Sequence, residues 1–227
     1  MSDPAAGVRA VLDRVRQAEQ RYGRPPGSVS LLAVSKGHPA EALAAAASAG
    51  QRLFGESYLQ EALGKMLALA PLDLEWHFIG PVQSNKTRGV AERFAWIHSV
   101  DRLRIARRLS EQRSAVLPPL NICLQVNVSG EASKSGLRLD EVVAVTRQVA
   151  TLPRLRLRGL MTIPAPDGDF ATQREPFARL RRLQERLIAE GHGLDTLSMG
   201  MTDDLEAAIA EGASLVRVGT AIFGPRE

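Results

Sequence analysis

Hydrophobic positions along the 227 residues switch between two periods. Short apolar runs rich in Val, Ile and Leu are each followed by a stretch whose apolar residues recur at helical spacing. One helical stretch precedes them all. Val8, Val11, Leu12 and Val15 share a face, and the pattern stops near Tyr22-Gly23, before Pro25-Pro26. The runs then predict strands over 29–35, 52–55, 74–79, 94–98, 121–128, 155–162, 194–199 and 215–218. Helical spacing predicts helices over 41–49, 58–68, 84–92, 140–150, 170–189 and 203–211. A further helix starts at Asp101 and carries Leu103, Ala106 and Leu109; a last short turn covers 221–223. Pro39 suits a first helical turn, Gly50 closes that helix, and Ser84 and Asp101 are expected N-caps. Pro176 either kinks the long helix or marks its true first turn.

Eight strand-then-helix units imply a parallel sheet, and in one domain of this length they fit a TIM (β/α)8 barrel with an extra N-terminal helix. An open doubly wound sheet is the alternative, but no Gly-x-Gly-x-x-Gly follows the first strand. No linker or low-complexity segment interrupts the pattern, so a single domain over 1–227 is expected.

Composition narrows the picture. Hydrophobic residues make up 44%, which supports a sizeable core. The net charge of +4 is too small to argue for nucleic acid and would suit a small anionic ligand equally well. Cys123 is the only cysteine, so no internal disulfide and no multi-cysteine metal site exist; it reads as a buried structural thiol. The N-terminus carries no basic-then-apolar signal and no apolar run is long enough to span a bilayer, so a cytoplasmic protein without a membrane partner is expected.

In a barrel the chemistry gathers where strands end. Lys36 closes the first strand, after the apolar and small residues Leu31-Leu32-Ala33-Val34-Ser35. A lysine whose stem is packed there loses pKa and becomes a nucleophilic amine, although a solvated charge is the bland alternative. Ser198-Met199-Gly200 ends the seventh strand and Arg217-Val218-Gly219-Thr220 the eighth. Ser198, Gly200, Gly219 and Thr220 offer hydroxyls and approachable backbone N–H groups, in the loops where such barrels frequently hold a phosphate. Tight turns alone would also call for these glycines. An amine facing a phosphate cradle suits either a phosphosugar lyase or pyridoxal 5′-phosphate.

The motifs extend this along the whole chain. Ala33-Val34-Ser35-Lys36, Leu53-Phe54-Gly55-Glu56, His77-Phe78-Ile79-Gly80, Gln83-Ser84-Asn85-Lys86, Ser133-Lys134-Ser135-Gly136 and Gly159-Leu160-Met161 occur in order. Ser198-Met199-Gly200-Met201 and the run from Val216 to Gly224 complete them. Together they resemble the pyridoxal phosphate homeostasis protein family. The resemblance implies a barrel like the N-terminal domain of alanine racemase, of PLP fold-type III, with the cofactor as an aldimine on Lys36. It implies phosphate contacts from Ser198, Met199, Gly200, Gly219 and Thr220, and Arg217 facing the pyridine nitrogen. Ser57 departs from the asparagine usual after Gly-Glu in the family.

A guanidinium keeps its proton, so Arg217 cannot protonate the ring nitrogen and leaves the ring a weak electron sink. An ion pair inside the barrel mouth is the other reading of Arg217. Alanine racemases add a β-domain that supplies a tyrosine, whereas this sequence ends at Glu227 and holds only Tyr22 and Tyr58. Two-base racemisation needs acids on both faces of a substrate carbon. The expectation is therefore a monomeric carrier of pyridoxal phosphate without catalysis, with PLP-dependent apoenzymes as recipients. A low-activity racemase or decarboxylase is the alternative.

The remaining signals read as structural. Arginines at 102, 104, 107, 108 and 113, and at 174, 179, 181, 182 and 186, are interrupted by Glu111, Glu175 and Glu185 without aromatic stacking, so solvated faces are expected. His38, His77, His98 and His192 show no metal-ligand spacing, and His77 either touches the cofactor or is a hydrogen-bonded core histidine. Asp203 and Asp204 read as a helix cap and a first-turn charge. Lys86 and Lys134 lie in loops on the cofactor side as surface charges, or as groups that receive and release the cofactor.

Overall fold

A computed structural model describes residues 3–131, 134–165 and 168–225. Ser133, Pro166 and Glu227 lie outside the described residues, as do Met1 and Ser2.

The strands are β1 (Ser30–Val34), β2 (Leu53–Glu56), β3 (Glu75–Phe78), β4 (Trp96–Val100), β5 (Leu120–Gln125), β6 (Leu155–Met161), β7 (Thr196–Ser198) and β8 (Leu215–Val218). They pair in parallel in chain order, and β8 returns to β1 with Ser30 opposite Leu215, closing the barrel. The helices are α1 (Pro4–Arg21), α2 (Ala40–Ser48), α3 (Leu59–Ala68), α4 (Thr87–Arg93), α5 (Leu103–Gln112), α6 (Val142–Val149), α7 (Phe170–Ala189), α8 (Leu205–Ala210) and α9 (Thr220–Phe223). The expected (β/α)8 barrel with a leading helix is present.

The leading helix has a structural reason. The eighth unit ends in α9, only four residues long, which is too short to cover β8. α1 packs against α2, α8 and α9 and fills that gap in the helical ring. Gly7 makes the close approach possible: a Cβ there would stand 2.7 Å from the Ile222 carbonyl oxygen. The buried Glu19 carboxylate of α1 accepts hydrogens from the backbone N–H of Gly27 (3.0 Å) and Val29 (2.8 Å), which fixes the chain's entry into β1.

Strand alternation separates two cores. Outward residues such as Phe54, Phe78, Ile97, Ile122, Leu124, Leu160 and Val216 pack against the helices in one continuous apolar layer. Trp96, Cys123 and Met161 cluster separately inside the barrel. Cys123 is fully buried, and burial pushes its thiol up to about 12, as a structural thiol requires. Arg158 plugs the end where the strands begin: it lies over the Trp96 ring at 4.7 Å and reaches the Asp195 carboxylate at 2.7 Å.

Several local expectations need correction. The fourth strand begins at Trp96, because the Phe94 N–H still bonds the Val90 carbonyl and ends α4. Ser84 does not cap α4, which starts at Thr87; the Thr87 hydroxyl instead donates to the Ser84 carbonyl (2.9 Å). Asp101 does not cap α5, because extended Arg102 takes the cap position and its guanidinium holds the Asp101 carboxylate. Pro39 is the residue before α2, not in its first turn. Pro176 lies inside α7, which starts at Phe170 with Asp169 accepting from the Thr172 N–H at 2.9 Å. The arginines of α7 pair with carboxylates, Arg174 and Arg181 with Glu211, and Arg179 with Glu175. No helix among the described residues is long and apolar enough to cross a membrane.

Candidate functional site

The mouth where the strands end holds a cleft of about 270 Å³. Four of the expected site residues line it: Lys36, Arg217, Gly219 and Thr220. Val34, His38, Ile79, Ile163, Met201, Thr202, Asp203 and Gly224 complete the wall.

Lys36 stands in the turn after β1, half-buried. That turn is clamped from α3 and β2. The buried Lys65 ammonium donates to the Ser35 carbonyl at 2.7 Å, and also contacts the carboxylates of Glu56 (2.7 Å) and Glu61 (2.5 Å). Glu56 accepts from the Ser35 hydroxyl at 2.7 Å, and Glu61 from the Gly37 N–H at 2.6 Å. Both neighbours of Lys36 are thus fixed by ionic partners, so its Cα is held on rigid elements. Burial raises the Glu56 pKa against the pull of Lys65 and Ser35.

Arg217 points inward from β8 and is almost wholly buried. Its Nη1 donates to the Ser198 hydroxyl oxygen at 2.7 Å and its Nη2 to the Thr162 carbonyl at 2.9 Å. Among the described residues no carboxylate forms an ion pair with it, so the ion-pair reading of Arg217 finds no support in the geometry. Burial lowers its pKa to about 10, which still leaves it charged at neutral pH. A buried cation held only by neutral groups has strong unspent attraction for an anion or an electron-rich ring atom.

The loop after β7 divides. Ser198 is fully buried beneath Arg217, and its hydroxyl lies 2.7 Å from His98 Nδ1. Met199 turns its side chain into the outer apolar layer, and its N–H bonds the Leu215 carbonyl. Gly200 is buried with φ +93°, and its carbonyl accepts from the Arg217 N–H. Ser198 and Gly200 hold Arg217 from behind, and none of the three lines the cleft wall. Asp203, expected as a helix cap, lines the cleft instead. Asp204 occupies the residue before α8 and accepts from the Met201 N–H at 2.5 Å.

Sequence reasoning also missed His38, Ile79, Ile163, Met201 and Thr202. His38 stacks on Phe223 with ring centroids 5.0 Å apart. Its signal was its place two residues beyond Lys36, before a proline. Ile163, 41% exposed at the mouth, had the signal of an apolar residue past a strand end. His77 is a core histidine: it is buried on β3 at 2.8 Å from His98 and does not line the cleft. Lys134 pairs with Glu131 at 2.9 Å, and Lys86 is exposed.

The set therefore comprises one primary amine, one guanidinium with no ion-pair partner among the described residues, the Asp203 carboxylate, the His38 ring, a Gly-Thr turn opening α9, and apolar side chains. It fits a flat aromatic aldehyde that carries a phosphate: amine for aldehyde, charge and turn for the polar ends, isoleucines for the ring.

Residues 8–227 match the alanine racemase N-terminal domain family. The pyridoxal phosphate homeostasis protein of Pseudomonas aeruginosa is 62% identical over all of this chain and 97% of its own length. The solved structure of PipY from Synechococcus elongatus with PLP bound superposes with a TM-score of 0.81 at 40% identity, covering 92% of this chain and 98% of that one. Alanine racemase from Corynebacterium glutamicum shares the fold at a TM-score of 0.69 and 17% identity, with 96% of this chain matching 62% of that one.

Proposed function

This chain belongs to the pyridoxal phosphate homeostasis protein family, and from that premise we propose that it binds pyridoxal 5′-phosphate in the cleft, covalently through Lys36. The cofactor supplies an aldehyde, with which a primary amine condenses by loss of water, and a phosphate. Of four lysines in the sequence, Lys36 is the one that lines the cleft. Lys65 is buried between two carboxylates, which makes it a poor competitor. Arg217 faces the ring side as a hydrogen donor that never gives up its proton at physiological pH. Gly219 and Thr220 receive the phosphate; Ser198 and Gly200 act by holding Arg217, and Met199 anchors their loop in the outer apolar layer. The observation that carries the reading is the meeting of Lys36 and Arg217 in one cleft.

The protein acts as a carrier in intracellular control of the free cofactor, a cytoplasmic monomer that hands it to PLP-dependent apoenzymes. The racemase alternative needs a second acid on the far face of a substrate carbon. Tyr58 is 61% exposed at the start of α3, and Tyr22 stacks on Phe170 at 5.9 Å; neither lines the cleft.

The test is the absorption spectrum of the purified protein with the cofactor, before and after borohydride. We expect a visible band that borohydride bleaches, with the label on the peptide carrying Lys36. Lys36→Ala loses the band and keeps the barrel's far-UV signal; a label on another lysine overturns the assignment. Wash-out of α-deuterium from amino acids at a rate useful for turnover would favour the racemase.

A further inference from the structure

A chain of hydrogen bonds runs through the barrel from the cleft floor to the opposite mouth. Arg217 Nη1 lies 2.7 Å from Ser198 Oγ, and Ser198 Oγ 2.7 Å from His98 Nδ1. His98 Nε2 lies 2.8 Å from His77 Nδ1, and His77 Nε2 2.9 Å from Glu75 Oε1. The first four members are 4% exposed or less, while the Glu75 side chain is 45% exposed. The histidines come from β3 and β4, the serine from β7 and the arginine from β8, so only barrel closure joins them.

The two ends fix every hydrogen between them. A guanidinium only donates, so Ser198 Oγ accepts from Arg217. A carboxylate only accepts, so His77 donates its Nε2–H to Glu75. With both rings neutral, His77 Nδ1 accepts, His98 Nε2–H donates to it, His98 Nδ1 accepts, and the Ser198 hydroxyl donates. No other proton arrangement of two neutral rings satisfies all four contacts. Desolvation holds both histidines below their ordinary pKa, and the His77 contact holds Glu75 below its own. The groups facing the chain do not disturb this order. Trp96 donates to Glu75, Arg158 lies near Glu75 as a further positive charge, and Cys123 stays a neutral thiol. The chain thus runs from a cation, Arg217, which also feels the charge of the Asp204 carboxylate, to the Glu75 carboxylate at the other end.

We propose that Ser198, His98, His77 and Glu75 are positioning residues that orient the Arg217 guanidinium toward the cleft through one proton-ordered chain. It rests on the cofactor reading for its purpose, though not for its existence. Without the chain, Arg217 Nη1 would lose its fixed acceptor and the guanidinium would turn toward other partners.

Two measurements test it on the full-length protein. Long-range proton–nitrogen spectra of ¹⁵N-histidine protein without cofactor should show His77 and His98 as neutral Nε2–H tautomers that do not titrate from pH 8 to about pH 6. His98→Gln assigns one of the two signals by its loss. An Nδ1–H tautomer at His98, or either ring titrating near its ordinary pKa of about 6.5, overturns the chain. Glu75→Leu then removes the far acceptor without touching the cleft. Cofactor affinity by fluorescence titration should fall about tenfold, the scale of one lost charge-assisted bond, and Glu75→Gln, whose carbonyl can accept the same hydrogen, should recover most of it. Equal affinity in wild type, Leu and Gln overturns the positioning role. If Glu75→Leu does not fold, Glu75→Gln and the wild-type tautomers decide. A wild-type protein that shows the tautomers and binds no pyridoxal phosphate defeats the cofactor reading alone.

Discussion

Asp203 is a carboxylate on the wall of a cleft that otherwise presents an amine and a guanidinium. An anion entering the cleft meets this one opposing charge. At the effective dielectric of a protein surface, a like charge some ångströms away costs on the order of 1 kcal/mol. Asp203→Asn should therefore tighten pyridoxal phosphate binding about three- to fivefold at low salt, with the gain shrinking as salt is added. A fluorescence titration at two ionic strengths checks this. At this scale the sequence was informative unevenly. Lys36, Arg217, Gly219 and Thr220 were readable because they sit at or just past strand ends. Asp203 was not, because a carboxylate before an apolar helical stretch reads as a cap, and which of Asp203 and Asp204 turns to the helix depends on the loop's path.

At the scale of elements, the site depends on how α3 grips the turn after β1. Lys65 is buried between Glu56 and Glu61 and reaches the Ser35 carbonyl. Lys65→Met keeps the apolar stem of the side chain and leaves Glu56 buried without its cation. Breaking one partner of a buried ion pair costs about 3–5 kcal/mol, so a fall of that size in urea unfolding is expected, with weaker labelling of Lys36. Two glycines give a contrasting pair. A Cβ on Gly159 of β6 would lie 1.7 Å from the Thr196 carbonyl oxygen, so Gly159→Ala should force β6 from β7 and leave little soluble protein. Gly64 is exposed within α3 with nothing near its Cβ position, so Gly64→Ala should raise stability by about 1 kcal/mol. The long helix 170–189 and the last strand were read from the sequence at their observed limits, because strong periodicity or a sharp boundary marks them. The starts of α4 and α5 do not follow from residue type, because Ser84 and Asp101 are cap residues by type while the chain makes other use of them.

For the molecule as a whole, the two neutral histidines tie stability to pH. Their folded pKa values lie below about 6.5, the unfolded value. Below that pH the unfolded chain takes up protons that the folded chain refuses, so stability present at neutral pH is lost as pH falls. Each histidine contributes a slope of at most about 1.4 kcal/mol per pH unit. Glu56, with its pKa raised by burial, works in the opposite sense above its unfolded value of 4.5, and Glu75, with its pKa lowered, adds to the acid loss below 4.5. The thermal midpoint should drop between pH 6.5 and pH 5, and His98→Gln should lessen that slope. A midpoint flat across this range in both proteins would contradict the assignment.

The barrel is legible before any coordinate is known, because alternation of strand and helix periods is written residue by residue and parallel strands have few other ways to close. The sequence also carried the family and offered Lys36 as the candidate amine, since both readings rest on short contiguous motifs. It took the folded chain to reveal that α1 stands in for a missing eighth helix, and that Ser198 lies beneath Arg217 and not on the cleft wall. Folding alone joined Glu75, His77, His98, Ser198 and Arg217 into one chain. Those contacts link residues up to 100 positions apart across a closed sheet. No local pattern encodes them, because each depends on which way a side chain faces after the last strand has met the first.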